Sequence, residues 1–117
     1  MRNKREIGAK YERFAGEYLR EKGYEILEYN ASARQGEIDI VARDGAYLVF
    51  AEVKYRTNLC CGHPLEAVNE KKQRSICKCA LYYMQKNGLE HFPVRFDVVA
   101  ITGEKVDIIQ NAFDFIV

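Results

Sequence analysis

The sequence predicts a single α/β domain that contains two helices and five strands in the order αβββαββ. Two observations support this fold class. In two segments the apolar residues recur at the three- and four-residue spacing of a helix. In five other segments β-branched and aromatic residues are concentrated as they are in strands. The chain has 117 residues, enough for one hydrophobic core, and it contains neither a repeat nor a linker. We therefore predict one domain over residues 1–117.

The first helix is predicted over residues 5–22, and Gly23 directly after it is a typical helix end. Three strands follow, with the sequences YEILEYN, EIDIVAR and AYLVFAEVKYR. Asp44-Gly45 separates the last two strands and predicts a tight hairpin between them. The apolar stripe of the helix consists of Ile7, Tyr11, Phe14, Ala15, Tyr18 and Leu19.

The second helix is predicted to begin at Pro64 and to end near Asn87, with Gly88 as its terminator. Lys72 falls in the centre of its apolar stripe. Two further strands, VRFDVVAI and KVDII, are separated by the turn Thr102-Gly103-Glu104. The stripe itself consists of Leu65, Val68, Ile76, Cys79 and Tyr83.

The charge and hydropathy of the chain exclude few classes of function. The net charge is +1, which neither requires nor excludes a polyanionic partner. No apolar run is long enough for a membrane span, and the basic start MRNKREIGAK is followed by no signal-peptide core. We expect a cytoplasmic protein without a membrane partner. A central basic stretch is, on charge alone, a solvated helix face; it contains Lys54, Arg56, Lys71, Lys72, Arg74 and Lys78.

The four cysteines do not predict a zinc site. Cys60 and Cys61 are adjacent, and Cys77 and Cys79 form a C-x-C pair, whereas zinc knuckles use C-x₂-C spacing. On a helix, Cys77 and Cys79 would point roughly 200° apart. Without a secretory signal a disulfide framework is not expected either. We interpret Cys79 as a small core residue.

Three charged residues interrupt the apolar strands. Strand side chains alternate between faces, so Glu37 and Asp39 are predicted to share one face of their strand, opposite Ile38 and Ile40. Glu52 and Lys54 share a face of the next strand with Leu48 and Phe50. A solvated face is the common alternative, but a face that is apolar at one end and charged at the other is typical of a cleft. Clustered carboxylates with nearby backbone oxygens suit a hard cation such as Mg²⁺.

The segments GEID and FAEVKYR resemble the PD-(D/E)xK nuclease motif, with Asp39 as the first acid and Glu52-Val53-Lys54 as its second half. The whole chain resembles the YraN family of small bacterial endonuclease-like proteins, akin to archaeal Holliday junction resolvases. The resemblance implies a restriction-endonuclease-like fold with an αβββαβ core and a mixed sheet flanked by helices. The matching residues run almost end to end: Gly8, Glu12, Ala15, Leu19, Gly23-Tyr24, Asn30, Gly36-Glu37-Ile38-Asp39, Glu52-Val53-Lys54, Arg56, Glu66-Ala67-Val68, Lys72, Arg95-Phe96-Asp97-Val98-Val99 and Asn111-Ala112-Phe113.

Two positions depart from the family pattern. Tyr11 stands where the family usually has glycine, beside the glutamate of the first helix. Ser32 stands where members often carry arginine, which leaves Arg34 as the nearby cation.

The resemblance and the strand pattern together predict a site. Asp39, Glu52, Lys54 and Glu12 are the expected catalytic residues. Asp39 and Glu52 would hold Mg²⁺ or Mn²⁺, with the Val53 carbonyl and Glu12 completing the shell. Arg56, Lys72 and Arg34 are expected to contact nucleic-acid phosphates. Three alternatives stay open: Glu12 as a satisfied boundary residue, Lys72 as a snorkelling lysine, and Glu37 as either a metal-site residue or a structural hydrogen-bonding group.

The leading functional hypothesis is a metal-dependent endonuclease that hydrolyses nucleic-acid phosphodiester bonds, with branched or damaged DNA as the expected substrate. The alternative is a non-catalytic nucleic-acid-binding module that uses the same cleft. A third reading is a structural protein with a charged strand face. A homodimer is implied only by analogy with the resolvases.

Overall fold

The predicted order αβββαββ is present in the computed structural model, which describes residues 4–34, 36–56 and 68–116. Five strands form one mixed sheet with two helices, so the α/β prediction is confirmed. No helix among these residues is long and apolar enough to cross a membrane. The elements are α1 (Lys4–Glu21), β1 (Glu25–Ala33), β2 (Gly36–Asp44), β3 (Tyr47–Arg56), α2 (Glu70–Asn87), β4 (Val94–Thr102) and β5 (Lys105–Phe113).

The sheet order follows the chain, β1-β2-β3-β4-β5. The β1–β2, β2–β3 and β4–β5 pairs are antiparallel. β3 and β4 pair in parallel from Leu48↔Val94 to Arg56↔Thr102, which includes the whole of β4. A parallel pair needs a crossover between its strands, and α2 lies in the connecting segment. β3 is therefore a central strand, and β1 and β5 are the edges.

Each face of the sheet packs against one helix. Leu48 and Phe50 of β3 belong to the apolar cluster that contains Ile76 and Ala80 of α2. Val49 and Ala51, which alternate with them, belong to the cluster that contains Leu19 of α1. Strands covered on both faces need apolar side chains on both faces, which explains the nearly continuous apolar runs of β3 and β4. We refer to these as the α2 face and the α1 face.

The helix ends follow the local sequence. Gly23, with φ 98°, follows α1, and Gly88, with φ 67°, caps α2 and donates its N–H to the carbonyl of Met84. α2 begins after the N-cap Asn69, whose side chain accepts from the N–H of Lys72. The predicted beginning at Pro64 is wrong, because Val68 and Asn69 precede the helix and are not helical. Pro64 itself lies outside the described residues, as do Cys60 and Cys61. Cys77 and Cys79 are both buried and free.

The predicted alternation of β2 is wrong at Asp39. Ile38 packs on the α2 face, whereas Ile40 packs on the α1 face. The register places Asn30 of β1 opposite Asp39, between the pairs Tyr29↔Ile40 and Ala31↔Ile38. Asn30 has a φ of 54°, a left-handed conformation that breaks strand alternation. In both strands, therefore, the side chains beyond this point lie on the face opposite to the one that regular alternation predicts, an exchange of faces. Asp39 itself does not follow the regular alternation.

Asp97 is a buried acid whose two carboxylate oxygens both accept hydrogen bonds. Asp97 of β4 is 0% exposed and accepts hydrogen bonds from the Tyr24 hydroxyl, the Arg95 guanidinium and the Asn111 N–H. Arg95 also donates to Asp44 at 2.8 Å. A buried charge with all its partners in place stabilises one packing arrangement. This network joins β2, β4 and β5 to Tyr24, the residue before β1.

Candidate functional site

The candidate site lies where β2 and β3 diverge. Their pairing runs from Asp44↔Tyr47 to Ile40↔Ala51. Beyond that pair, the backbone N–H of Val53 donates to Oδ2 of Asp39 at 2.8 Å. The carboxylate of Asp39 thus binds a strand amide beyond the end of the ladder. This position follows from the exchange of faces at Asn30 and Asp39, and it directs the carboxylate toward β3.

Three carboxylates meet at this point. Glu12 of α1 and Glu37 and Asp39 of β2 each have an oxygen within 4.8 Å of the other two. A cavity of about 410 Å³ adjoins Glu12 and Glu37 and reaches Asn30 and Ser32 of β1. Gly8, one turn before Glu12, also lines this cavity, and no other atom lies within 4 Å of where its Cβ would stand. The missing side chain leaves the approach to the acids open.

The pKa of Glu12 is raised to about 7. Burial is the largest cause, and the charge of Asp39 and a hydrogen bond shared with it come next. A hydrogen bond from the side chain of Asn30 lowers the pKa and so opposes these effects. Glu12 is therefore a carboxyl group that holds its proton near neutral pH unless a cation replaces that proton.

Glu52 of β3 is the most buried acid of the site, with 4% of its surface exposed. Its Oε1 lies 3.7 Å from Nζ of Lys72 on α2, and its Oε2 is buried with no hydrogen-bond partner. Burial and then the neighbouring Asp39 raise the pKa of Glu52 to about 8, against the opposing charges of Lys72 and Lys54. An unpartnered buried oxygen is costly, and a bound cation would compensate it.

The predicted basic residues are arranged unequally around the acids. Lys54 is half-buried and lies close enough to Glu52 to lower its pKa. Lys72 is not buried in the centre of the α2 stripe, since its side chain is 40% exposed and reaches Glu52. Arg34 is exposed beyond the end of β1 and forms no ion pair in the described part of the chain. The side chain of Arg56 lies outside the described residues.

The donor set fits a hard divalent cation. Carboxylate oxygens are the ligands that Mg²⁺ and Mn²⁺ prefer. Glu12, Glu37 and Asp39 each offer one within 4.8 Å of the other two, and Glu52 lies near enough to Asp39 for its pKa to be raised by that acid. The amide of Val53 binds Asp39, whereas its carbonyl as a ligand stays a prediction. A bound cation would reduce the repulsion between the carboxylates, and it would give Oε2 of Glu52 a partner. The residues that would hold it are Asp39, Glu52, Glu12 and Glu37.

The sequence left the roles of two residues of the site undefined. Glu37, left open there, lies within the three-acid cluster. Asn30 matched the family pattern without a role, yet it sets the geometry of the strand pair and contacts Glu12. Asparagine is disfavoured in strand interiors and favoured in the left-handed conformation. An asparagine inside the strand segment YEILEYNASA could therefore have indicated the irregular conformation from the sequence.

Comparison with known proteins gives a consistent match. A family model described as "Uncharacterised protein family UPF0102" matches residues 11–101. A UPF0102 protein of Lachnoclostridium phytofermentans is 52% identical over 113 residues, which cover 96% of each chain. One from Carboxydothermus hydrogenoformans is 46% identical over 97% of this chain and 99% of its own. A third, from Thermodesulfovibrio yellowstonii, is 47% identical over 92% of this chain and 96% of its own.

Proposed function

Because the chain belongs to the UPF0102 family, whose description names no activity, we propose from the site itself that it is a divalent-metal-dependent endonuclease acting on nucleic acid. One observation carries the proposal. Glu52 is buried beside Asp39 with one oxygen unpartnered and a pKa raised to about 8. A protein that gained nothing from this acid would be more stable with a neutral residue there. A cation bound between Glu52 and the neighbouring acids would explain why an acid is present at this buried position.

The resemblance to the PD-(D/E)xK nucleases supports a hydrolytic role for the same residues. Bound Mg²⁺ or Mn²⁺ would polarise a phosphate and lower the pKa of an attacking water. Asp39 and Glu52 are the central ligands, and Glu12 and Glu37 complete the acidic side of the cleft. Lys54 stabilises the charge that develops on the phosphoryl oxygens. Lys72 holds the carboxylate of Glu52 through its ion pair.

The proposal also includes the substrate, the cellular compartment and the oligomeric state. DNA is the expected substrate, branched or damaged, and the cytoplasm is the expected compartment. A homodimer follows only from the likeness to the resolvases. The basic residues around the acids, Lys54 and Lys72, supply affinity for a phosphate backbone without sequence preference.

The test combines metal binding with a cleavage panel. Branched, duplex and single-stranded DNA and RNA are incubated with Mg²⁺ or Mn²⁺, and Mn²⁺ affinity is measured by calorimetry. We expect wild type to bind Mn²⁺ and cut at least one substrate, and Asp39→Asn and Glu52→Gln to lose both properties. Asp107→Asn, an exposed acid on β5, is the matched control and should behave as wild type.

Two results would overturn the proposal. If wild type cuts no substrate with either ion, the catalytic role fails. If nucleic-acid binding then persists in chelator, the binding module takes its place. If Asp39→Asn and Glu52→Gln bind Mn²⁺ as well as wild type does, the metal site itself is wrong.

A further inference from the structure

An exposed basic stripe runs along α2 beside the acid site. Lys71, Lys78, Tyr82 and Lys86 follow one another at spacings of seven, four and four residues, all exposed. At about 100° per residue they fall within roughly 80° of one another around the helix. Tyr82 has 49% of its surface exposed. The stripe thus presents an aromatic ring between lysines.

Among the described residues, the three lysines of this stripe form no ion pair. Arg74 on the same helix pairs with Glu70 at 2.7 Å, but no carboxylate in the described part of the chain pairs with Lys71, Lys78 or Lys86. Unpaired lysines in a row attract a polyanion. An exposed tyrosine among them adds a flat surface on which a base can stack.

A cavity of about 280 Å³ lies between this stripe and the edge strand β1. Tyr82, Tyr83 and Lys86 line it on the helix side, and Asn30 and Ser32 line it on the strand side. Asn30 and Ser32 also line the cavity at the acids, and the Asn30 side chain contacts Glu12. Asn30 and Ser32 of β1 therefore line both cavities, the one beside Tyr82 and the one at the acid cluster.

We propose that this stripe and cavity bind single-stranded nucleic acid. An unpaired base stacks on Tyr82, and the flanking phosphates lie along Lys71, Lys78 and Lys86. Glu28 also lines the cavity and would repel a phosphate there, so the cavity takes the base and the lysines take the backbone. The polar groups of Asn30 and Ser32 can then accept or donate hydrogen bonds to base edges. The strand continues across β1 to the acids.

A duplex does not fit these features equally well. Its bases are already stacked and paired, so Tyr82 gains no exposed ring face from it, and the recess beside β1 is too small to admit a base pair with its backbone. Single strands expose one base at a time and follow a narrow groove. The inference rests on the proposed function only for the statement that the nucleic-acid strand continues to the acids. Binding of the single strand itself is measured without cleavage.

The experiment measures fluorescence anisotropy of a labelled oligothymidylate of about 12 nucleotides and of a duplex of equal length, with wild type in chelator. We expect the single strand to bind more tightly than the duplex. Tyr82→Ala should weaken single-strand binding about 10-fold, because a stacked base is lost, and Tyr82→Phe should restore it. Lys78→Gln and Lys86→Gln should each reduce the salt dependence by roughly one phosphate. Leu81→Ala, its exposed neighbour, is the control.

The outcomes separate this inference from the proposed function. Equal affinity of wild type and Tyr82→Ala for the single strand, or a preference for duplex, overturns the stacking site even if wild type cleaves nucleic acid. If wild type never cleaves but its single-strand binding depends on Tyr82 and the lysines, the binding surface stands and the endonuclease assignment falls.

Discussion

Nζ of Lys72 on α2 lies 3.7 Å from Oε1 of Glu52 on β3, so the second helix places one cation beside the most buried acid of the site. The pair is incomplete, since Oε2 of the same carboxyl group has no partner. Asp97, by contrast, is buried with hydrogen bonds to both of its oxygens. Among the described residues the protein therefore contains one satisfied and one partly satisfied buried acid, and the partly satisfied acid can accept a ligand.

Replacing Lys72 by Met should raise the pKa of Glu52 above about 8. The lysine charge favours the ionised carboxylate, and methionine keeps the length and packing of the stem without that charge. The pKa is measured by ¹³C NMR titration of the glutamate carboxyls. Lys71→Met, which removes the neighbouring lysine with no ion pair, should leave the titration of Glu52 unchanged. An unaltered pKa in Lys72→Met would show that the pair has no electrostatic effect.

Replacing Glu52 by Gln should remove a pH dependence of stability. The pKa of Glu52 is raised from its ordinary 4.5 to about 8, so the folded protein holds this proton more tightly than the unfolded chain does. The free energy of unfolding therefore falls as the pH rises through this interval. Around pH 9 we expect Glu52→Gln to be more stable than metal-free wild type by about 1–3 kcal/mol.

Urea unfolding at several pH values measures this difference. Glu21→Gln, an exposed glutamate at the end of α1, serves as the control and should follow wild type. Saturating Mn²⁺ should reverse the order of stability, because binding stabilises only the protein that keeps its ligand. Parallel pH curves for wild type and Glu52→Gln would contradict the prediction.

Substitutions of Asn30 should separate its backbone role from its side-chain role. The φ of 54° costs alanine about 1–2 kcal/mol, whereas glycine adopts this conformation freely. Asn30→Ala should therefore lose stability in urea unfolding and Asn30→Gly should lose little. Both variants lose the hydrogen bond to Glu12, so in both the pKa of Glu12 should rise above about 7.

Asn111 of β5 has a similar φ of 53°, and β3 and β4 separate its strand from Asp39 in the sheet, so its glycine and alanine variants form a matched pair. They should reproduce the stability difference without altering the titration of Glu12. If Asn30→Ala were as stable as Asn30→Gly, the left-handed conformation would not explain the exchange of faces.

Replacing Lys54 by Met should slow cleavage about 10²–10³-fold, the usual effect of losing an electrostatic donor to the transition state, with substrate binding nearly unchanged. Single-turnover cleavage and anisotropy measure the two quantities. Lys105→Met, at the exposed beginning of β5, should alter neither. A parallel loss of binding and cleavage would identify Lys54 as a ground-state phosphate anchor.

Most of the fold could be predicted from local patterns. Gly88 ends α2 as expected, and the hairpin forms at Gly45 and Ala46, next to the predicted Asp44-Gly45 signal. Hydrophobic spacing and turn residues determine such features over a few neighbouring residues. The same reasoning placed Ile38 and Ile40 on one face, and this was wrong, because the exchange of faces depends on the opposing residue Asn30 in another strand.

The sequence indicated residues of the candidate site but not the contacts between them. The acids Asp39 and Glu52 interrupt apolar strands, which is visible in the sequence. That Lys72 would contact Glu52 depends on how α2 crosses the sheet, and that Glu37 would join Glu12 depends on the packing of α1. Both are long-range consequences of the topology, which no short window of sequence contains.

The parallel pairing of β3 with β4 has a consequence for how the protein folds. β2 and β3 are joined by a two-residue loop, whereas residues 57–93 separate β3 from β4 in the sequence. Closing the longer loop is slower. During folding we therefore expect Asp39 and Glu52 to approach each other before α2 packs on the sheet and places Lys72 beside Glu52. In the early hairpin, the repulsion between the carboxylates of Asp39 and Glu52 would then not be compensated by the charge of Lys72. Refolding by stopped-flow fluorescence should be faster near pH 5 than near pH 8, and Glu52→Gln should abolish that difference in rate.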